Sequence, residues 1–502
     1  MSAGYSLSRH CYRNVRNVLD SSSFSRCRGK PFLRSKVEAR QAPRRYNSIS
    51  AADLQFGQPL HETHPHILKA GELTPGITAL EYAHRRAKLA AKLPKDAVAI
   101  IKAADVKYKS KSVFYEYHQD SDFFYLTGFN EPGALAVIAS NGADGDHIFH
   151  LYVREKDPHS ELWQGARSGT RAALDVFNAD ETDSIDRIKD ILPEIVSGAS
   201  EIYTDVKGLT SAKSLISRFF PSIQNNADTA NRAAAFSKIK PLSPLVSELR
   251  VFKSDSEIAN MRKAGQASGR AFTDAMKQSF SSEKDLYAFL EYRFKMSGCD
   301  KSAFVPVVAG GQNALSIHYV RNDDILRNGN LVLVDGGGSY GGYISDITRT
   351  WPINGKFSPP QRDLYAAVLN VQRKCVGLCH ESQNMSLDDI HEYAERGLRE
   401  ELSGLGFNLP RSAIRTLFPH HVGHYIGLDV HDTGDYSRSH GLLKGQCVTI
   451  EPGIYIPDDE RWPEHFRGIG IRIEDSVCVG DESPLVLTTE AVKEVDDIEA
   501  LR

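Results

Sequence analysis

The segment NLVLVDGGGSYGGYISDITRTW, residues 330–351, constrains the fold more than any other part of this sequence. Two strand-like runs flank a glycine-rich turn, which predicts a β-hairpin. If Tyr340 and Gly341 form the centre of the turn, Asp335 and Asp346 face each other across the strands, with Cβ atoms about 5 Å apart. Directly opposed like charges destabilise a hairpin unless a cation lies between them. The hairpin therefore predicts a cation site as well as a pair of strands.

Two further acidic residues lie in strand-like surroundings near the C-terminus. Glu451 ends the apolar run in CVTIEPGIYI, and Glu474 shares the polar face of GIGIRIEDSVCV with Arg472. A plain salt bridge explains Arg472 and Glu474 equally well when that pair is taken alone. Together with the hairpin aspartates, however, these residues put four acids into apolar strands. Buried acids require cations, because an unpaired buried charge is strongly unfavourable.

The segment HHVGHYIGLDVHD, residues 420–432, contains four histidines. His420 and His424 have the spacing of a zinc-protease helix, but His421 stands where that motif requires glutamate. Glycines and β-branched residues favour an extended segment instead, in which positions four apart are separated by about 13 Å. At most one of these two histidines therefore binds a given ion. A hydrogen-bonded structural role is the alternative for any single histidine here.

One histidine and four carboxylates form an oxygen-rich ligand set that suits Mn²⁺, Co²⁺ or Zn²⁺. Four negative charges favour two ions over one. A two-metal site makes a bridging water nucleophilic enough to attack a carbonyl at neutral pH. The expected chemistry is metal-assisted hydrolysis.

The length of 502 residues predicts two domains and a tail. Strand-like segments alternate with helical ones to about residue 240, which predicts an α/β domain over 47–244. In this part, ALEYAHRRAKLAAKL predicts a helix from residue 79, and DFFYLTGF and GALAVIAS predict paired strands. A proline-punctuated connection follows, and Ser254 and Glu257 then have the spacing of a capping box at a helix start. We place the second domain at 245–502.

The first 46 residues hold eleven Arg and Lys residues against two acidic ones, although the whole chain has a net charge of -3. An arginine- and serine-rich start without a long apolar run predicts a mitochondrial transit peptide, with cleavage near Arg45 to Asn47. A disordered basic tail or a nucleic-acid-binding arm is the alternative. The seven cysteines form no regular framework, and their odd number suits a reducing compartment. No run approaches the roughly 18 apolar residues of a membrane span.

The ordered set VDGGG, SDITRTW, HHVGHYIGLDVHD, TIEPGIYI and GIRIED resembles the pita-bread metallopeptidases of the aminopeptidase P and prolidase group. The segments HETHPHILKAGELTPGI, HQDSDFFYLTGFNEPGA and REKDPHSELWQGARSG resemble the N-terminal domain of aminopeptidase P. With the transit-like leader, the whole is most similar to the mitochondrial X-Pro aminopeptidase branch, which includes intermediate-cleaving peptidases. The resemblance implies an α/β (α+β) chain, with a creatinase/aminopeptidase P-like domain followed by a pita-bread catalytic domain.

The resemblance also assigns roles to individual residues. It implies five metal ligands: Asp335, Asp346, His424, Glu451 and Glu474. Asp335 belongs to one ion, Asp346 and Glu474 bridge two ions, and His424 and Glu451 complete the second. Glu451 also handles the proton of the bridging water.

Four more residues receive roles outside the ligand set. His318, in SIHYVRND, matches the histidine that stabilises the tetrahedral oxyanion, and His431 matches the one that steadies the substrate. His420 matches a substrate-pocket histidine, and Arg472 is expected to orient carboxylates near the metals. His421 occupies a position where relatives often have glycine, and no role is assigned to it.

The implied function is hydrolysis of the first peptide bond, which releases a single amino-terminal residue from X-Pro peptides, from imported protein intermediates after presequence cleavage, or from both. The expected location is the mitochondrial matrix or the matrix face of the inner membrane. Two ions are expected, with Mn²⁺ preferred and Co²⁺ or Zn²⁺ as alternatives. Partners are peptide and protein amino termini and a second copy of the chain, as a dimer or tetramer, but not nucleic acid. An X-Pro dipeptidase (prolidase) and a non-catalytic pita-bread binding protein are the alternatives.

Overall fold

The structure, a computed structural model, describes residues 55–142, 144–206, 238–410 and 413–502. The predicted transit peptide and its cleavage site lie outside the described residues. None of the described helices is both long and apolar enough to cross a bilayer. The five cysteines within the described ranges are buried and form no disulfide bond.

The N-terminal part is built around one mixed sheet. After a two-stranded ribbon of β1 (Glu72–Thr74) and β2 (Ile77–Thr78), helix α1 (Ala79–Lys92) confirms the helix predicted from residue 79. Strands β3 (Val98–Lys102), β6 (Leu135–Ser140), β7 (His147–Tyr152), β8 (Ile202–Tyr203) and β9 (Ile239–Lys240) follow, in the sheet order β7-β6-β3-β8-β9. A separate hairpin joins β4 (Tyr108–Ser110) and β5 (Val113–Phe114). Pairing is antiparallel among β7, β6 and β3 and parallel among β3, β8 and β9.

The strand predicted for DFFYLTGF is wrong. Ser121–Thr127 form helix α2, whose N-cap residue Asp120 accepts a hydrogen bond from the backbone N–H of Phe123. Gly128 ends the helix with a left-handed φ of 66°. These two end signals override the β propensity of the aromatic run, and β6 pairs with β3 and β7 instead.

Four further helices lead from this sheet to the C-terminal part. They are α3 (Pro158–Gln164), α4 (Gly169–Asp175), α5 (Ile188–Gly198) and α6 (Ser243–Arg250), with a 3-10 turn at Ile185–Arg187. Helix α7 (Asp255–Met276) then begins with the predicted capping box of Ser254 and Glu257, which is confirmed.

The C-terminal part packs long helices against small antiparallel sheets. Its helices are α7, α8 (Glu283–Met296), α9 (Pro359–Gly377), α10 (Leu387–Gly404), α11 (Ile414–Leu417) and α12 (Val495–Ala500). Its strands are β10 (Lys301–Ser302), β11 (Val307–Gly310), β12 (Leu331–Gly336), β13 (Gly338–Tyr340), β14 (Tyr343–Ile344), β15 (Ile347–Pro352), β16 (Cys447–Ile450), β17 (Gly453–Tyr455), β18 (Gly470–Arg472), β19 (Asp475–Cys478) and β20 (Leu485–Val486). They form the sheets β10-β13-β14, β11-β12-β15, β16-β19-β20 and β17-β18. Helix α7 packs against α8 and β13 to β15, and α9 packs against α10, β16 and β18.

The predicted hairpin exists, but its predicted register is wrong. Strands β12 and β15 pair so that Asp335 lies opposite Thr348, and Tyr340 pairs with Tyr343 at the tip. The turn centre is therefore Gly341 and Gly342, one residue later than predicted. Both glycines have positive φ, 59° and 85°, which glycine adopts without steric cost. Asp346 consequently precedes β15 instead of facing Asp335 across the ladder.

Candidate metal centre

The predicted ligands converge from the ends of several strands. Asp335 lies near the end of β12, Asp346 directly before β15, and Glu451 directly after β16. Glu474 lies between β18 and β19. Asp335 is paired within β12, whereas the other three lie just outside their strands, and all four carboxylates meet at these strand ends.

His424 reaches the same place from an irregular, extended segment. The carbonyls of Val422 and His424 accept hydrogen bonds from the backbone N–H groups of Glu451 and Thr449, at 2.7 and 2.8 Å. Tyr425 forms an isolated bridge with Val448. The prediction that residues 420–432 do not form a helix is confirmed, although only this one bridge has strand geometry in the described segment. Pairing with β16 places the imidazole beside the carboxylates.

Asp346, His424 and Glu474 can each offer one ligand atom within 4.8 Å of the others. His424 Nε2 lies 3.7 Å from Asp346 Oδ2 and 3.6 Å from Glu451 Oε1. Within the described parts of the chain, the buried Oδ1 atoms of Asp335 and Asp346 have no hydrogen-bond partner. Buried carboxylate oxygens without donors fit a divalent cation as their partner.

The electrostatics of the cluster also fit cations. Burial, reinforced by the other carboxylates, raises the pKa of Asp346 and of Glu474 well above their ordinary values. Burial raises the pKa of Glu451 to about 7, although Arg472 opposes the shift. Burial lowers the pKa of His424 to about 4, which keeps the imidazole neutral, as a metal ligand must be. Positive ions at this position would stabilise the ionised carboxylates.

Arg472 donates a hydrogen bond from each of its three side-chain nitrogens, one to a carboxylate and two to hydroxyls. Nη2 donates to Asp335 at 2.6 Å, Nε to the hydroxyl of Thr348 at 3.0 Å, and Nη1 to the hydroxyl of Tyr455 at 2.7 Å. Thr348 in turn donates to Glu474 at 2.6 Å. The buried guanidinium thus orients one carboxylate directly and a second through Thr348.

Tyr455 is a site residue that the sequence reasoning missed. Its hydroxyl, 2.7 Å from Arg472, also lies 2.9 Å from Nε2 of His420. Burial, followed by the charge of Arg472, lowers the pKa of His420 to about 3. The sequence offers one indication of this role, because Tyr455 follows the predicted ligand Glu451 by four residues in EPGIYI. The apolar residues around Tyr455 instead indicate a purely hydrophobic strand.

His431 and His318 are both exposed. The ring of His431 contacts that of His424 edge to face, with centroids 4.5 Å apart. His318 is exposed on the loop after β11, and its neighbours Ile317 and Tyr319 pack in the apolar cluster that contains Tyr455. The structure brings the five predicted ligands, His420 and Arg472 together and places His431 against His424, while His318 stands exposed on the loop after β11.

His421 belongs to a different environment. Its Nδ1 lies 2.8 Å from the carbonyl of Gly423, its Nε2 lies 3.1 Å from a carboxylate oxygen of Asp388, and its ring stacks on His391 at 4.5 Å. These contacts attach the histidine segment to helix α10. His421 is therefore a structural residue of this segment.

Comparison with known proteins agrees with this geometry. Residues 259–481 match the model of metallopeptidase family M24, and residues 82–203 match the aminopeptidase P N-terminal domain. The intermediate cleaving peptidase 55 of Saccharomyces cerevisiae is 46% identical over 89% of this chain and 88% of its own length. The human Xaa-Pro aminopeptidase 3 is 38% identical over 97% of this chain and 96% of its own.

A solved structure supports the same relation. The crystal structure of Icp55 from S. cerevisiae superposes with a TM-score of 0.77 and 44% identity, covering 86% of this chain and 99% of that one. Membership of family M24 implies divalent metal ions, and the carboxylate–histidine cluster fits them. The chain belongs to metallopeptidase family M24 and is a metallo-aminopeptidase in which an aminopeptidase P-type N-terminal domain precedes a pita-bread domain.

Proposed function

We propose that this aminopeptidase acts in mitochondria and releases single amino-terminal residues from imported protein intermediates, from X-Pro peptides, or from both. The observation that carries the proposal is the buried cluster of Asp346, His424 and Glu474, in a chain whose relatives are named intermediate cleaving peptidase and Xaa-Pro aminopeptidase. The basic, acid-poor segment 1–46 supports the mitochondrial location. We assign the matrix, or the matrix face of the inner membrane by peripheral association.

The five-residue ligand set is proposed to hold two divalent ions, Mn²⁺ in preference to Co²⁺ or Zn²⁺. Asp335 would hold one ion together with Asp346 and Glu474, and His424 and Glu451 would hold the other with the same two carboxylates. When bound, such ions supply the Lewis acidity that makes a water nucleophilic at neutral pH and polarises the scissile carbonyl.

The protein's own side chains position the reactants and move the proton. Glu451 accepts a proton from the attacking water at a carboxylate oxygen. His318 donates a hydrogen bond to the carbonyl oxygen of the scissile bond as negative charge develops there. His431 steadies the substrate beside this bond, His420 lines the substrate pocket, and Arg472 keeps Asp335 oriented.

Three synthetic peptides test the substrate class. The first is a longer peptide that begins with Tyr-Pro, the second is the same peptide beginning with Tyr-Asn, and the third is the dipeptide Tyr-Pro. Each is incubated with the metal-loaded enzyme, and the free tyrosine released is measured. Release from the Tyr-Asn peptide supports the processing role, and release from the longer Tyr-Pro peptide supports X-Pro activity. Cleavage of the dipeptide alone would establish the prolidase alternative and overturn the proposal.

Amino-terminal profiling of mitochondrial proteins tests the role in cells. Comparison of cells with and without the enzyme is expected to reveal one-residue amino-terminal extensions in its absence. Identical termini in both samples would contradict a role in processing imported proteins.

The sequence RRYNSIS adds a proposal about this chain itself, in residues outside the described ranges. If the processing protease cuts after Arg45, the enzyme would remove Tyr46 from its own amino terminus and expose Asn47. Mass spectrometry of active protein isolated from mitochondria is expected to find Asn47 first. Retention of Tyr46 would contradict this.

We also propose a homo-oligomer, a dimer or a tetramer, and no nucleic-acid partner. Light scattering of the purified protein measures the mass of the assembly directly. A mass equal to that of one chain would refute the oligomer.

A further inference from the structure

Glu283 is the first residue of α8 and is completely buried, at 0% exposure, although it is not one of the metal-centre carboxylates. A buried carboxylate requires hydrogen-bond donors or cations. Its donors come from one segment of the chain. The backbone N–H of Gly310 and Nδ2 of Asn313 donate to Oε1, and the hydroxyl of Tyr319 and the backbone N–H of Asp324 donate to Oε2, all at 2.8 Å.

That segment is the loop that carries His318. It follows β11, begins with a 3-10 turn at Gly311–Leu315 and is otherwise irregular through Asp324. The start, middle and end of the loop are thus attached to a single carboxylate. The backbone reinforces the arrangement, since the N–H of Glu283 donates to the carbonyl of Asp324 at 2.9 Å.

The loop packs against an apolar cluster beside the metal centre. Ile317 and Tyr319, on either side of His318, pack in the apolar cluster that includes Tyr455. The hydroxyl of Tyr455 contacts Arg472, which contacts Asp335. A displacement of the loop would therefore move His318 relative to the carboxylates.

We propose that Glu283 is a positioning residue, which holds the His318 loop so that the imidazole reaches the scissile carbonyl. The inference rests on the role proposed above for His318. The two carboxylate oxygens of Glu283 together accept four hydrogen bonds, one from each of the four donors. No neutral side chain of this size has four acceptor positions. Hydrogen bonds to an ionised acceptor are also stronger than neutral ones, so they order an irregular loop effectively.

The variant Glu283→Gln tests this most directly. Glutamine keeps the size of the side chain but replaces one carboxylate oxygen with an NH₂ group. That group cannot accept a hydrogen bond, so two of the four donors lose their acceptor. A shift of the loop by about 1 Å is expected to lower kcat on the order of 10–100-fold. Metal content is expected to stay at the wild-type level. The matched control is Asp285→Asn, which removes an exposed carboxylate from the same helical turn, where its partner is Ser281.

A double-mutant cycle separates positioning from general stability. If Glu283 acts through His318, Glu283→Gln costs less than about 3-fold in kcat when His318 is already alanine, because residues that act as a unit are non-additive. The variant Tyr319→Phe removes a single donor hydroxyl and should give a smaller loss with the same non-additivity. Tyr319→Phe replaces Glu283→Gln in the double-mutant cycle if Glu283→Gln fails to fold.

Two results would overturn the proposal. One is that Glu283→Gln lowers kcat by the same factor in the wild-type and His318→Ala backgrounds. If Glu283→Gln does not fold, the same result with Tyr319→Phe counts instead. The other is wild-type kcat in the same variant. Failure of the proposed function is a separate result, since the wild-type protein would then release no amino acid from either of the longer peptides.

Discussion

Lys253 and Asp432 form an ion pair in the interior, with Nζ 2.9 Å from Oδ2 and both side chains 1% exposed. Asp432 also contacts the guanidinium of Arg250, which reaches Asp122 of helix α2 in the N-terminal part. Asp432 directly follows His431. The ionic cluster therefore connects the N-terminal part of the chain to the histidine segment of the metal centre.

The first prediction concerns this cluster. Asp432→Asn leaves Lys253 buried without its counter-charge, which is expected to reduce the free energy of unfolding by about 3–5 kcal/mol at pH 7. Urea denaturation measures the change. The control Asp435→Asn alters an exposed carboxylate three residues further along the chain and should change the free energy of unfolding by less than about 0.5 kcal/mol. An Asp432→Asn protein with the wild-type free energy of unfolding would contradict a stabilising role for this ion pair.

The pH dependence of the same variant follows from the pKa of Asp432. Burial raises this pKa, but Arg250 and Lys253 lower it more, so that it lies below its ordinary value of 3.8. A lowered carboxyl pKa stabilises the folded state fully above the unfolded pKa, about 3.9, and the effect disappears as pH falls through the folded pKa. The stability difference between wild type and Asp432→Asn should therefore be constant above about pH 5 and shrink below about pH 4.

A second prediction concerns Thr348, whose hydroxyl connects Arg472 with Glu474. Thr348→Val keeps the shape of the side chain but frees the carboxylate, so metal affinity should fall about 10–100-fold. Titration of the metal-free protein with Mn²⁺ measures this change. Thr350→Val is the control, because that hydroxyl bonds the backbone of Arg472 and no ligand carboxylate. Equal affinities for Thr348→Val and wild type would refute the prediction.

A third prediction concerns removal of the metal. A chelator should abolish activity and lower the melting temperature, because ligands that bind only the folded state stabilise it. Addition of Mn²⁺, Co²⁺ or Zn²⁺ to the stripped protein then identifies the ions that restore turnover, and Mn²⁺ is expected to restore most. Full activity after verified metal removal would exclude the proposed mechanism.

A fourth prediction is that His318→Ala lowers kcat by about two orders of magnitude, since one oxyanion donor contributes about 3 kcal/mol to the transition state. Metal content should not change, because His318 lies outside the ligand cluster. Steady-state kinetics and metal analysis on the same preparation provide both values. Unchanged turnover would remove His318 from the mechanism.

A fifth prediction distinguishes His421 from its neighbour His420. His421→Ala removes contacts with Gly423 and Asp388 and should lower the free energy of unfolding by about 1–2 kcal/mol, with kcat near the wild-type value. His420→Ala should instead lower kcat, because His420 adjoins Tyr455 in the site. Thermal unfolding and kinetics of the two variants make the comparison. A larger kcat loss in His421→Ala than in His420→Ala would reverse these assignments.

Several features were predictable from local sequence. The capping box at Ser254 identified the start of α7, and the glycines and β-branched residues of 420–432 excluded a helix there. By contrast, the aromatic run DFFYLTGF predicts a strand, whereas Asp120 and Gly128 begin and end helix α2 in the structure. The predicted hairpin turn lies one residue before the observed one, because Tyr340–Gly341 and Gly341–Gly342 are both acceptable centres by composition.

The sequence by itself determined the chemical groups of this protein: four acids in apolar strands, one histidine to accompany them and the family motifs that contain them. Only the tertiary structure decided how these groups meet. Arg472 bonds Asp335 across 137 residues and Thr348 bonds Glu474 across 126, so no local pattern reports either contact. The same holds for Tyr455, Glu283 and His421, because each has contacts with residues that are also distant in sequence. Hydrophobic periodicity specifies which face of an element is buried, whereas the partners of a buried polar group depend on packing between distant segments.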